Sequence, residues 1–90
     1  MAALNVSLVS ADHEVWSGEV KMVVARTTEG EIGILPGHEP MLGILSTGEI
    51  RLTLADGTTV TANADDGFLS VEHDTVTIVA RHAALVEAKH

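Results

Sequence analysis

At 90 residues the chain has room for one domain and one core, and its 46% apolar content argues against a disordered segment. Thirteen acidic side chains against five basic ones, a formal net charge of −8, oppose nucleic-acid backbones and anionic lipid surfaces while leaving basic protein surfaces as partners. One Trp, one Phe and no Tyr require an aliphatic core and leave no stacking platform for single-stranded nucleic acid.

The absence of cysteine removes disulfides and thiolate metal sites. Met1-Ala2-Ala3-Leu4-Asn5 has neither a basic nor an apolar region, so no signal peptide is expected. The longest apolar runs are four or five residues, far below a membrane span. The reading is therefore one domain over residues 1–90.

In chain order, nearly every segment has period two. Leu4, Val6 and Leu8 alternate with Asn5 and Ser7 as a half-buried first strand, and Ser10-Ala11-Asp12-His13 reads as a turn. Glu14 to Gly18 is a short element around Trp16. Glu19 to Thr27 follows, with Val20, Met22 and Val24 expected on one face. Thr28-Glu29-Gly30 closes a hairpin into Glu31–Leu35.

Gly30 to Leu45, GEIGILPGHEPMLGIL, holds four of the eight glycines and both prolines. Leu35-Pro36-Gly37-His38 fits a type II turn, with proline fixing φ at the second position and glycine supplying φ > 0 at the third. Pro40 pushes Glu39 into an extended conformation. The loop is thus stiff on both sides of His38, which suits docking because little ordering entropy remains to be lost. His38 has two readings here: a turn cap bonded to a backbone carbonyl, or a side chain projecting to a partner.

Met41 to Leu45 is a short aliphatic run and Ser46-Thr47-Gly48 a turn. Ile50, Leu52 and Leu54 alternate with polar residues up to Asp56-Gly57, a hairpin signal. Thr58–Ala64 follows, with Val60, Ala62 and Ala64 inward. Asp65-Asp66-Gly67 reads as a turn into Phe68–Glu72, and His73-Asp74 as a turn into Thr75–Ala80, with Val76 and Ile78 inward. Ala83 to Lys89 fits either helix or edge strand. Short strands with regular turn signals indicate an all-β sandwich or barrel.

No catalytic constellation stands out. Phosphate loops, GxGxxG, GxSxG and HExxH are missing, and the five histidines are scattered singly. No catalytic residue, metal or cofactor is expected. Asp65-Asp66 reads as a solvated turn, and Trp16 as a core plug rather than an interface anchor. Ser10 reads as a turn former unless it lies on a docking face.

The run from Gly30 to Pro40 resembles the signature of the epsilon subunit of F-type ATP synthases. Val9-Ser10-Ala11-Asp12, Val15-Trp16-Ser17-Gly18, Ser46-Thr47-Gly48-Glu49-Ile50-Arg51, Gly67-Phe68-Leu69-Ser70-Val71 and Val76-Thr77-Ile78-Val79-Ala80 extend the resemblance over residues 4 to about 86.

The resemblance implies an all-β, ten-stranded sandwich or flattened barrel. It implies a non-catalytic rotor subunit of the central stalk, peripheral on the cytoplasmic side of the cell membrane, with no direct insertion. Its partners would be the gamma subunit and the proton-driven c-subunit ring. Glu31, Gly33 and His38 would face the ring and the base of gamma, and Ser10, Met41, Leu42 and Gly43 would lie at or near the gamma contact. Basic ring loops in the family would suit an acidic subunit.

Three departures from the family pattern stand out. Glu39 replaces a small or uncharged residue, Asp66 replaces the first of two glycines, and the sequence stops at His90, without a C-terminal helical hairpin. Neither hairpin inhibition nor ATP binding is therefore expected. The alternative is an unrelated β-sandwich module for ligands or peptides, against which the scarcity of aromatic rings counts.

Overall fold

The structure, a computed structural model, describes residues 3–11 and 13–86. These residues form eight strands: β1 (Leu4–Ser10), β2 (His13–Val20), β3 (Met22–Thr27), β4 (Gly30–Ile34), β5 (Met41–Leu45), β6 (Gly48–Thr53), β7 (Thr59–Glu72) and β8 (Thr75–Leu85). Most alternate as their composition predicts, whereas β2 is exposed or half-buried up to Val20. In β1, Leu4, Val6 and Leu8 are buried, because a pleated strand sends every second side chain to the same face.

β7 and β8 carry the architecture. The second half of β7 pairs with β5 and its first half with β6. Residues 75–80 of β8 pair in parallel with β1. The two long strands therefore run through both layers of a sandwich. The front layer is β2-β1-β8-β7-β5; the back layer is built from the other ends of β8 and β7 with β6, β3 and β4. Thr27–Leu45, the one β3–β5 pair, joins the layers along one side. β2 and β4 stay open edges, so the fold is a sandwich with one closed side rather than a full barrel. Counting the halves of β7 and β8 separately restores the ten strands expected.

Between the layers lies an aliphatic core that includes Leu8, Val23, Ile34, Ile50, Leu52, Leu69 and Ile78, with Trp16 partly buried against it. The Trp16 ring lies over Gly18, where a methyl group would meet Cη2 at 3.0 Å, so the indole fills the place of a core side chain.

Two expectations are corrected. Asp65-Asp66-Gly67 is no turn but the corner of one continuous strand. Asp66 takes φ +49°, and on either side of it the buried positions change phase, from Ala62 and Ala64 to Leu69 and Val71. The same slip occurs opposite, between Ala80 and Ala83 of β8, and the pairing register is kept. Left-handed backbone can reverse a chain or turn a strand over, and here it does the second.

The face of Val20, Met22 and Val24 is also broken. A bend at Lys21, whose N–H bonds the Thr53 carbonyl at 2.7 Å, shifts the phase, so Val23, Ala25 and Thr27 point inward while Met22 and Val24 face outward, half-buried.

The remaining turns hold. Ser10 pairs with His13 across the first turn, whose Asp12 lies outside the described residues. His73 and Asp74 have φ of 50° and 61°, as a hairpin type I′ turn requires. Ala83 to Leu85 finish β8 as strand, and residues 87–89 of the ambiguous segment lie outside the described residues.

Candidate functional site

The loop between β4 and β5 is built as the Pro-Gly sequence dictates. The His38 N–H donates to the Leu35 carbonyl at 3.1 Å and Gly37 has φ +88°, closing the turn. A second tie comes from the β7–β8 turn, where Asp74 Oδ1 accepts the Gly37 N–H at 2.7 Å. A charge-assisted bond of this length, between segments 37 residues apart, fixes the loop to the front layer.

His38 fits the first of its two readings. Nδ1 donates to the Glu39 carbonyl at 2.7 Å, which caps the turn and places the proton of a neutral ring on Nδ1. Nε2 has no hydrogen-bond partner among the described residues, so a half-buried ring still offers one nitrogen outward. Glu39 is exposed, and nothing in the structure explains its charge.

The other candidate residues separate by layer. Glu31 and Gly33 lie on the outer face of the back layer, on β4. Glu31 pairs with Arg51 of β6 at 3.2 Å, and both side chains are about half exposed, so the pair contributes at most about 1 kcal/mol. A methyl group on Gly33 would meet nothing within 4 Å.

Leu42 lies on the opposite side of the molecule, on the outer face of the front layer. Met41 and Gly43 turn inward: Met41 packs against the core and Gly43 sits against Met41 and Thr27. Ser10 is buried, and its hydroxyl accepts the Ala83 N–H at 3.3 Å. It borders an open cleft of about 450 Å3 shared with Thr47, Asn63, Asp65 and His82. Among the described residues, no group of three or more His, Asp or Glu side chains could hold a metal ion.

Leu42 does not stand alone. Ile44 follows it on the same face of β5, and Phe68 sits opposite Ile44 on β7. Leu42 is 71%, Ile44 56% and Phe68 41% exposed. Val79 of β8, paired with Phe68, and Val9 of β1, paired with Val79, continue the strip half-buried. Sequence reasoning missed Ile44 and Phe68. The available signal was that Met41-Leu42-Gly43-Ile44-Leu45 is apolar on both faces, the mark of a strand covered on both sides. A contiguous exposed apolar strip on a small acidic domain is a protein-docking feature.

A sequence model of the beta-sandwich domain of the ATP synthase delta/epsilon chain matches residues 3–86. The chain belongs to the ATP synthase delta/epsilon family. It is 54% identical over 88 residues to the ATP synthase epsilon chain of Micrococcus luteus, covering 98% of this chain and 97% of that one. To the epsilon chain of Frankia casuarinae it is 48% identical over 82 residues, covering 91% and 96%. Among solved structures it is similar to a chain of the Euglena gracilis mitochondrial ATP synthase (OSCP/F1/c-ring). That match has a TM-score of 0.89 and 26% identity over 94% of this chain, and it spans about half (54%) of the Euglena chain. Asp66 stands at a left-handed residue, φ +49°, where aspartate is among the few side chains tolerated.

Proposed function

We propose that this chain is a non-catalytic subunit of the ATP synthase central stalk that links gamma to the c-subunit ring, at the cytoplasmic side of the membrane. The observation that carries the reading is the exposed strip of Leu42, Ile44 and Phe68 on the front layer of a domain from this family. Gamma covers that strip, and Met41, Gly43 and Ser10 shape the layer from beneath. The stiff loop and the back-layer edge, with His38, Glu31 and Gly33, face the ring and the base of gamma. Epsilon chains at up to 54% identity and a structural neighbour from an F1/c-ring assembly support this assignment.

The linking role follows from rigidity. A subunit that transmits torque between two partners must not yield itself, and a loop pinned at Leu35 and at Asp74 supplies such a mount. With a net charge of −8, docking against basic ring loops is electrostatically favourable and weakens with salt.

Purified gamma and this chain should form a stable complex at micromolar concentration; no association by size exclusion or calorimetry would end the proposal. In the assembled enzyme, Glu31→Lys combined with His38→Ala should reduce ring attachment and coupling about tenfold while the isolated domain stays folded. Such an effect corresponds to about 1.4 kcal/mol, the scale of one lost charge-assisted contact. Wild-type proton pumping in that variant would remove the loop from the ring contact.

A further inference from the structure

The edge strand β4 has a property that its side chains do not reveal. Thr27 and Gly30 pair across a turn of two residues, Thr28 and Glu29, so they exchange both main-chain bonds. The antiparallel ladder then alternates. Ala25–Ile32 and Val23–Ile34 are bonded pairs, while Glu31 and Gly33 direct their N–H and C=O groups away from β3. The opposite strand agrees: the carbonyl of Arg26, which faces Glu31, is turned to the other side and accepts the Ser46 N–H at 3.0 Å. Among the described residues no strand lies beyond β4. Two donors and two acceptors, on Glu31 and Gly33, therefore stand in a row facing solvent.

Edges of this kind are normally blunted by bulges, proline or outward charge. The second edge, β2, follows that rule, with a bulge opposite Leu8 and Val9 and exposed Glu14 and Glu19. β4 carries neither bulge nor proline. Its one charge, the Glu31 carboxylate, is drawn back over β3 toward Arg51 of β6. Gly33 has no side chain, and the space where one would stand is empty. The edge is bare where its hydrogen-bonding groups point outward.

We propose that β4 is a β-strand addition site, and that Glu31 and Gly33 are read through their main chain by an extended segment of the gamma base carrying Lys or Arg. This deepens the function proposed above and rests on it. One five-residue edge accepts one strand, which matches a single-copy partner such as gamma better than the repeated loops of a ring. Arg51 competes for the Glu31 carboxylate on the domain itself, so a basic partner residue takes over an acceptor that is already partly exposed.

Residue-resolved hydrogen exchange tests the site on the unmodified chain. The Glu31 and Gly33 amides should exchange freely in the isolated chain and become protected, alternating with an unchanged Ile32, in its complex with purified gamma. Protection that is absent, or that arises only when the ring is added, would overturn the proposal. Gly33→Pro removes one outward donor without breaking a bond to β3, and should weaken gamma binding about tenfold. Gly33→Ala keeps the donor, adds a methyl in open space and should bind as the wild type. Equal binding by Gly33→Pro and Gly33→Ala would reject strand addition. Loss of gamma binding by a front-layer variant in the same assay would leave the broader function standing.

Discussion

Replacing Gly67 by alanine should destabilise the domain by at least about 3 kcal/mol, the largest effect expected of any single methyl group in the chain. At Gly67 the β7 backbone presses against β8. An added Cβ would overlap the Val79 carbonyl oxygen and stand 2.7 Å from the Ala80 Cα. Both obstacles are main chain, so no rotamer change relieves them. Nor can the backbone shift locally, because Gly67–Ala80 and Phe68–Val79 are ladder pairs at the corner through which both layers pass.

For a domain of this size the loss corresponds to a fall in thermal midpoint of roughly 12–24 °C, measurable by circular dichroism. The neighbouring Asp66→Gly variant is the control. It relaxes a left-handed residue, removes an exposed side chain, and should change stability by less than about 1 kcal/mol. A Gly67→Ala midpoint within a few degrees of wild type would mean that the corner has slack.

The second large effect concerns binding rather than folding. Leu42→Ser with Ile44→Ser should leave the midpoint nearly unchanged, because both side chains are mostly exposed in the isolated domain. Affinity for gamma should fall by about 30-fold or more. Fully burying an aliphatic side chain of this kind contributes about 1.5–3 kcal/mol, and the exposed parts of the two together about 2–4 kcal/mol. Calorimetric titration of gamma with the variant reads this directly. Unchanged affinity would move the gamma contact off the front layer. The Glu31→Lys, His38→Ala pair acts on the other side of the molecule, so the two variants separate the front-layer contact from the one at the loop and back edge.

Much of the fold was legible because strand periodicity and turn chemistry are local. Leu4, Val6 and Leu8 alternate in the sequence and are buried in the fold, and Pro36-Gly37 closes the turn its torsion preferences require. The two misreadings are opposite in kind. At Asp66 a strand changes phase without ending, which a local reading takes for a turn; at Lys21 a bend ends β2 and starts β3, which the apolar spacing of Val20, Met22 and Val24 conceals. The same limit hid Ile44 and Phe68. They lie 24 residues apart in the sequence, and only the β5–β7 pairing brings them side by side.

The sequence alone therefore determined the class of fold, the stiff loop around His38 and the family to which the chain belongs. Those properties reside in residue types and short spacings. Only the tertiary structure decided which surface each candidate residue occupies: Leu42 outward in front, Glu31 and Gly33 on the back edge, Ser10, Met41 and Gly43 within. The reason is the corner at Asp66-Gly67, which turns β7 from one layer into the other and so assigns every strand paired with it to a face.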